Sequence, residues 1–136
     1  MLVHGFAVSA RYWHPQINGL ADRYRVITYD QRGHGRSRLG NAPMVNEHLG
    51  QHVSAVLEHT AAGGKPAVVV GHSMGGMSVM SWAVQHPSEV GRTREKVGRS
   101  LERFEIWRDA THLLNWEQPH RFNAVIADLS VAGPLR

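Results

Sequence analysis

The residues best suited to chemistry lie between Gly71 and Gly75, where Gly71-His72-Ser73-Met74-Gly75 places a serine two residues from a glycine on either side. That spacing carries meaning only where a strand enters and a helix leaves. Ala67-Val68-Val69-Val70, apolar and mostly β-branched, reads as a buried parallel strand running into the serine. From Met74 onward the chain reads as a helix. A serine on so sharp a turn takes a strained backbone conformation, and the residues two before and two after it crowd together. Gly71 and Gly75 bring no Cβ to that contact, and Gly76 is expected to let the helix approach the sheet closely. The Ser73 hydroxyl would then stand at the carboxyl end of the strand, beside the free N–H groups of a helix amino terminus. Two roles suit a hydroxyl there: it can cap the helix or attack a carbonyl carbon. The strand, the paired glycines and the helix favour attack.

Other elements must hold that serine in place. Met1 to Val3 reads as the tail of a strand that ends in a turn at His4-Gly5. Ser9 is expected to cap a helix running to about Leu20, burying Tyr12, Trp13, Ile17 and Leu20. Arg25 to Asp30 predicts a second strand, followed by the glycine-punctuated turn Asp30-Gln31-Arg32-Gly33-His34-Gly35-Arg36-Ser37. Arginines beside glycines suggest a phosphate cradle, but the G-x-x-x-x-G-K-[ST] spacing is not met. Val45, Leu49, Val53, Val56 and Leu57 form one apolar stripe and predict an amphipathic helix from Val45 to about Glu58. Gly63-Gly64-Lys65-Pro66 ends that helix and launches the strand before Ser73.

The serine-bearing helix stops before Pro87, and its Met77, Met80, Trp82 and Val84 read as core rather than as a substrate groove. Thr93 to Arg103 predicts another amphipathic helix, merging into a short strand near Phe104 to Trp107. A last helix begins near Pro119 with Phe122, Val125, Ile126 and Leu129 on one face. The pattern predicts one α/β domain over residues 1–136, built on a reduced, mostly parallel sheet of three or four strands with helices on both faces.

Composition removes several function classes. A chain of 136 residues allows one domain with a modest core. It has no cysteine, so disulfides, thiolate metal sites and cysteine nucleophiles are excluded, which fits a cytoplasmic location. No segment approaches the length of a membrane span, and the amino terminus lacks a charged-then-apolar signal pattern. Fifteen Lys+Arg against eleven Asp+Glu give a net charge of +4. The arginines are spread out, without a polybasic run or interleaved aromatics, so no nucleic-acid partner is expected. Ten histidines offer no zinc spacing beside a third ligand; His48 and His52 read as ordinary helix positions. No metal and no organic cofactor are expected.

Four stretches, in order, resemble the α/β-hydrolase superfamily: Leu2-Val3-His4-Gly5-Phe6, the turn from Tyr29 to Ser37, the Gly71-His72-Ser73-Met74-Gly75-Gly76 elbow, and Ala110-Thr111-His112-Leu113-Leu114-Asn115-Trp116-Glu117-Gln118-Pro119. The resemblance implies that Ser73 is the nucleophile and His112 the base. It also implies an oxyanion hole made by the backbone N–H groups of Phe6 and Met74, and a structural role for the turn after Asp30. Such a site would hydrolyse a carboxylic ester or related small carbonyl substrate through an acyl-serine.

The chain departs from the family pattern in ways that bear on activity. Ser73 and His112 are only 39 residues apart, and the opening strands and an internal block have no counterpart, with a junction expected near residues 88–92. The acid that orients the histidine has no counterpart either; Asp109, Glu102 and Glu105 do not match its position. Loss of that acid lowers turnover by about 10⁴, which predicts a weak hydrolase. The alternative is an inactive hydrolase-fold remnant acting as a binding module. Open sheet edges predict self-association.

Overall fold

The computed structural model describes residues 1–60, 67–88, 90 and 107–131. The expected Gly63–Pro66 connection, the Thr93–Arg103 helix, most of the Phe104–Trp107 strand and Glu102 and Glu105 lie outside them.

The centre of the fold is a very short strand, β1 (Leu2–Val3), paired in parallel with β2 (Val70–Gly71). Leu2 stands opposite Val70 and Val3 opposite Gly71. The ladder is carried by Val70 N–H donating to the Met1 carbonyl at 2.9 Å and His72 N–H to the Val3 carbonyl at 3.0 Å. On the other edge of β1, Leu2 N–H donates to the Ile27 carbonyl at 2.9 Å, and Leu2 and Thr28 form a single parallel bridge. Three of the four segments predicted as strands therefore lie side by side with β1 in the middle. Regular pairing is shorter than expected: Arg25 to Asp30 joins by that one bridge. A partner can form no more rungs than the strand it pairs with, and β1 turns away after Val3.

Alternation along β1 sends its two side chains to opposite faces, and each face has its own core. Val3 packs with Val53, Leu57 and Trp82, beneath α2 (Asn46–Thr60) and α3 (Met74–Gln85). Leu2 packs with Tyr12, Trp13, Leu20 and Ile126, beneath α1 (His14–Leu20) and α5 (Pro119–Val131). Between α3 and α5, Leu114–Glu117 forms the one-turn α4. Helices thus cover both faces of a small parallel sheet, as the sequence predicts.

Several local expectations change. The chain enters α1 through a 3₁₀ turn at Ala10–Trp13, and Ser9 makes no side-chain capping bond. The Asp30 carboxylate takes that place, accepting the Ala10 N–H at 2.7 Å and the Arg36 N–H at 2.9 Å. These backbone bonds hold the Asp30 carboxyl below its ordinary value. Gly33 and Gly35 have positive φ, 74° and 53°, in the same turn.

In α2 the stripe of Leu49, Val53 and Leu57 is buried as expected, while Val45 lies before the helix and is exposed. In α3 the buried face is Met74, Ser78 and Trp82, one turn apart. Met77, Met80 and Val84 point away from it, and Val84 is 81% exposed. They are not core. Helical spacing alone gave α3 two apolar faces; contact with β1 and α2 decides which one is covered.

Candidate active site

Ser73 occupies the junction of β2 and α3 with φ 52° and ψ −120°, a left-handed conformation that a residue with a Cβ rarely adopts. The turn is closed by Gly75 N–H to the His72 carbonyl and Gly76 N–H to the Ser73 carbonyl, both 2.8 Å. The Ser73 side chain makes no capping bond to α3, and it is exposed. Both flanking glycines are sterically required. A Cβ on Gly71 would lie 2.4 Å from the Gly75 carbonyl oxygen, and one on Gly75 would lie 2.2 Å from the Val3 carbonyl oxygen. Gly76 is different: a Cβ there meets nothing nearer than 3.6 Å. Close approach of α3 to the sheet is therefore the work of Gly75, correcting the expectation placed on Gly76.

The loop after β1 lies against this turn. A Cβ on Gly5 would stand 3.1 Å from Ser73 Cβ and 2.9 Å from His72 Nδ1. His4, fully buried, holds the loop. Gln31 N–H donates to His4 Nε2 at 2.9 Å, so the ring proton is on Nδ1, which donates to the Gly5 carbonyl at 2.7 Å. In a trans peptide the carbonyl and the next N–H point in opposite directions. Fixing the Gly5 oxygen therefore also fixes the direction of the Phe6 N–H.

Gln31 completes the brace. Its Nε2 donates to the His4 carbonyl at 2.5 Å, and its Oε1 accepts Ser78 Oγ–H from α3 at 2.8 Å. Burial lowers the His4 pKa, keeping the ring neutral. Among the described residues, neither the Phe6 nor the Met74 N–H donates to a protein acceptor. Phe6 and Met74, the expected oxyanion donors, follow the carboxyl ends of β1 and β2 in the chain, and it is Gly5, the residue before Phe6, that packs against Ser73.

His112 comes to the same end of the sheet by way of His72. The His72 Nε2–H donates to the His112 carbonyl at 2.7 Å, and the two rings lie 4.4 Å apart at 51°. Among the described residues, no hydrogen bond joins the His112 ring to Ser73 Oγ or to a carboxylate. Asp109, which matches no catalytic position, pairs with Arg121 at 3.5 Å. Glu117 accepts Thr111 N–H at 2.8 Å and Thr111 Oγ–H at 2.5 Å, and Leu113 N–H reaches Thr111 Oγ at 3.2 Å. The loop is thus braced on both sides of His112. Those Thr111 bonds hold the Glu117 carboxyl below its ordinary value.

A buried polar knot ties the His112 loop to the first helix. Gln16 Nε2–H donates to the Asn115 carbonyl at 2.9 Å and Asn115 Nδ2–H returns to Gln16 Oε1 at 3.0 Å. Tyr12 Oη–H donates to Asn115 Oδ1 at 2.5 Å, and Trp116 Nε1–H to the Tyr12 carbonyl at 2.7 Å. Burial pushes the Tyr12 phenol up to about 12. None of these fasteners was picked out in the sequence. One signal was present: Gln16 falls on the apolar stripe of Trp13, Ile17 and Leu20, where a polar side chain must find a partner. No group of three or more His, Asp or Glu among the described residues is placed to hold a metal ion, and none of the described helices is long and apolar enough to cross a membrane.

A parallel sheet covered on both faces, with a strained serine at the carboxyl end of a strand, defines an α/β protein whose candidate site lies at the strand ends. The sequence pattern of the alpha/beta hydrolase fold family matches residues 1–93, and the chain belongs to that family. Among similar proteins is one from Caulobacter segnis named "Putative carbamate hydrolase RutD", 37% identical over 94 residues, covering 68% of this chain and 34% of the relative. Proteins of the same name from Azorhizobium caulinodans (38% over 90 residues, 66% of this chain and 33% of the relative) and Escherichia coli O157:H7 (35% over 94 residues, 66% and 34%) are also similar. The chain thus spans about a third of the length of these curated relatives. The solved structure of Est816, described as an N-acyl homoserine lactone degrading enzyme, superposes with a TM-score of 0.59 at 22% identity, covering 96% of this chain and 57% of that one. That likeness establishes the fold.

Proposed function

We propose that this chain is a serine hydrolase acting on a carboxylic ester or a related small carbonyl substrate through an acyl-serine. The observation that carries the reading is the Ser73 conformation: a strained, exposed hydroxyl, unused as a cap, on a turn packed against the loop at Gly5. Ser73 Oγ attacks the carbonyl carbon while His112 takes its proton. The oxygen that becomes negative is held by the Phe6 and Met74 N–H groups. His112 returns the proton to the leaving group as its bond to carbon breaks. Water then repeats the cycle on the acyl-serine, releasing acid and free enzyme. His112 must swing to reach Ser73 Oγ, and no described carboxylate orients its ring, so turnover about 10⁴ below a complete triad is expected. The name of the relatives, "Putative carbamate hydrolase RutD", also refers to hydrolysis at a carbonyl carbon.

The test is turnover of short-chain p-nitrophenyl esters by the purified protein and by Ser73→Ala. A rate that disappears with the hydroxyl supports the proposal. Equal rates for the two proteins refute it and leave the second reading, a non-catalytic module of the hydrolase fold.

A further inference from the structure

His72 takes no part in the proposed reaction, yet its ring lies where the elbow, the first helical segment and the His112 loop meet. Its Nε2 lies 2.7 Å from the His112 carbonyl oxygen, across 40 residues of sequence. A carbonyl only accepts, so Nε2 carries the proton and Nδ1 is bare. One face of the ring lies 4.7 Å from the Tyr12 ring at 32°, and the His112 ring lies 4.4 Å away. Nδ1 is buried without a partner, pressed toward Gly5, where a Cβ would come within 2.9 Å of it. The ring therefore touches three parts of the site at once: the oxyanion loop at Gly5, the first helical segment at Tyr12, and the histidine loop at His112.

We propose that His72 is a positioning residue, its Nε2–H bond to the His112 carbonyl clamping the histidine loop onto the turn that carries Ser73. The catalytic half of this inference rests on the serine-hydrolase reading; the structural half does not. Position explains why the clamp works. His72 and Ser73 are consecutive, so whatever His72 holds is held relative to the nucleophile with no flexible chain between them. The Gln16–Asn115 knot fixes the loop three residues beyond His112 and Glu117 braces Thr111 one residue before it. Neither bond reaches His112 itself; the His72 bond does. The ring's state also suits the chemistry. Burial lowers the His72 pKa, and a neutral neighbour does not oppose the imidazolium that forms on His112 during attack.

Two substitutions separate the hydrogen bond from the ring. His72→Phe keeps a flat ring for Tyr12 and His112 but loses the donor. His72→Gln restores an N–H at similar reach and loses the ring. The expected result for His72→Phe is faster amide hydrogen exchange in residues 110–116 and a kcat lower by about tenfold with little change in KM, the size of one lost hydrogen bond. His72→Gln is expected to recover most of both. Unchanged exchange in His72→Phe, or equal loss in both variants, overturns the clamp. On the unsubstituted protein, ¹⁵N NMR of the His72 ring should show the proton on Nε2; a proton on Nδ1 overturns the proposal without any variant. If Ser73→Ala turns over ester as fast as the parent, the hydrolase reading fails, while exchange and tautomer still decide the clamp.

Discussion

A Cβ added to Gly75 would stand 2.2 Å from the Val3 carbonyl oxygen, so the first turn of α3 lies directly on the backbone of β1. The elbow, the His4–Gly5 loop and β1 are one packed unit. The neighbouring glycine is not part of it.

Gly75→Ala is therefore expected to destabilise the fold by about 1–3 kcal/mol or more, since the clash is with backbone that cannot swing aside. Gly76→Ala is expected to be neutral or to stabilise by up to about 1 kcal/mol, because it removes a glycine from a helix at no steric cost. Urea unfolding of the two variants checks the contrast. Equal losses would mean that α3 does not approach β1 as described.

Asn115 links α4 to α1 through Gln16 and to the preceding 3₁₀ turn through Tyr12, both buried. Asn115→Leu leaves Gln16 Oε1 and the Tyr12 hydroxyl without their partner, at a cost of about 1–3 kcal/mol for each group left unsatisfied. The expected outcome is a lower thermal midpoint together with loss of ester turnover, because the His112 loop leaves the elbow. A variant as stable as the parent would show that the knot is dispensable.

Stability should fall on mild acidification. Burial lowers the pKa values of His4, His52 and His72 below their ordinary value of 6.5. Below 6.5 the unfolded chain takes up protons that the folded chain refuses, so the unfolded state gains. The contribution of these rings is thus complete above 6.5 and is lost as pH falls through that value toward their lower folded values. Urea midpoints at pH 7.5 and pH 5.5 measure it. A midpoint that holds or rises at the lower pH would contradict the burial of the neutral rings.

The elements legible in the sequence are those whose cause is local. Gly71, Ser73 and Gly75 are two residues apart, and their crowding follows from one tight turn, so the elbow could be drawn before any tertiary contact was known. The stripe of Leu49, Val53 and Leu57 and the start of α5 at Pro119 were legible for the same reason. Ser9 was misread because its competitor for the helix end, Asp30, is twenty residues from the Ala10 N–H that it accepts.

What only the tertiary structure decided is which distant groups meet. It chose the Met74–Ser78–Trp82 face of α3 over the Met77–Met80–Val84 face, cut the ladder to the length of β1, and paired Gln16 with Asn115 and His72 with the His112 carbonyl. The amino-acid sequence by itself determined a hydroxyl on a strained bend. The arrangement of partners around that bend depends on where separate stretches of chain come to rest, and short-range spacing holds no record of it.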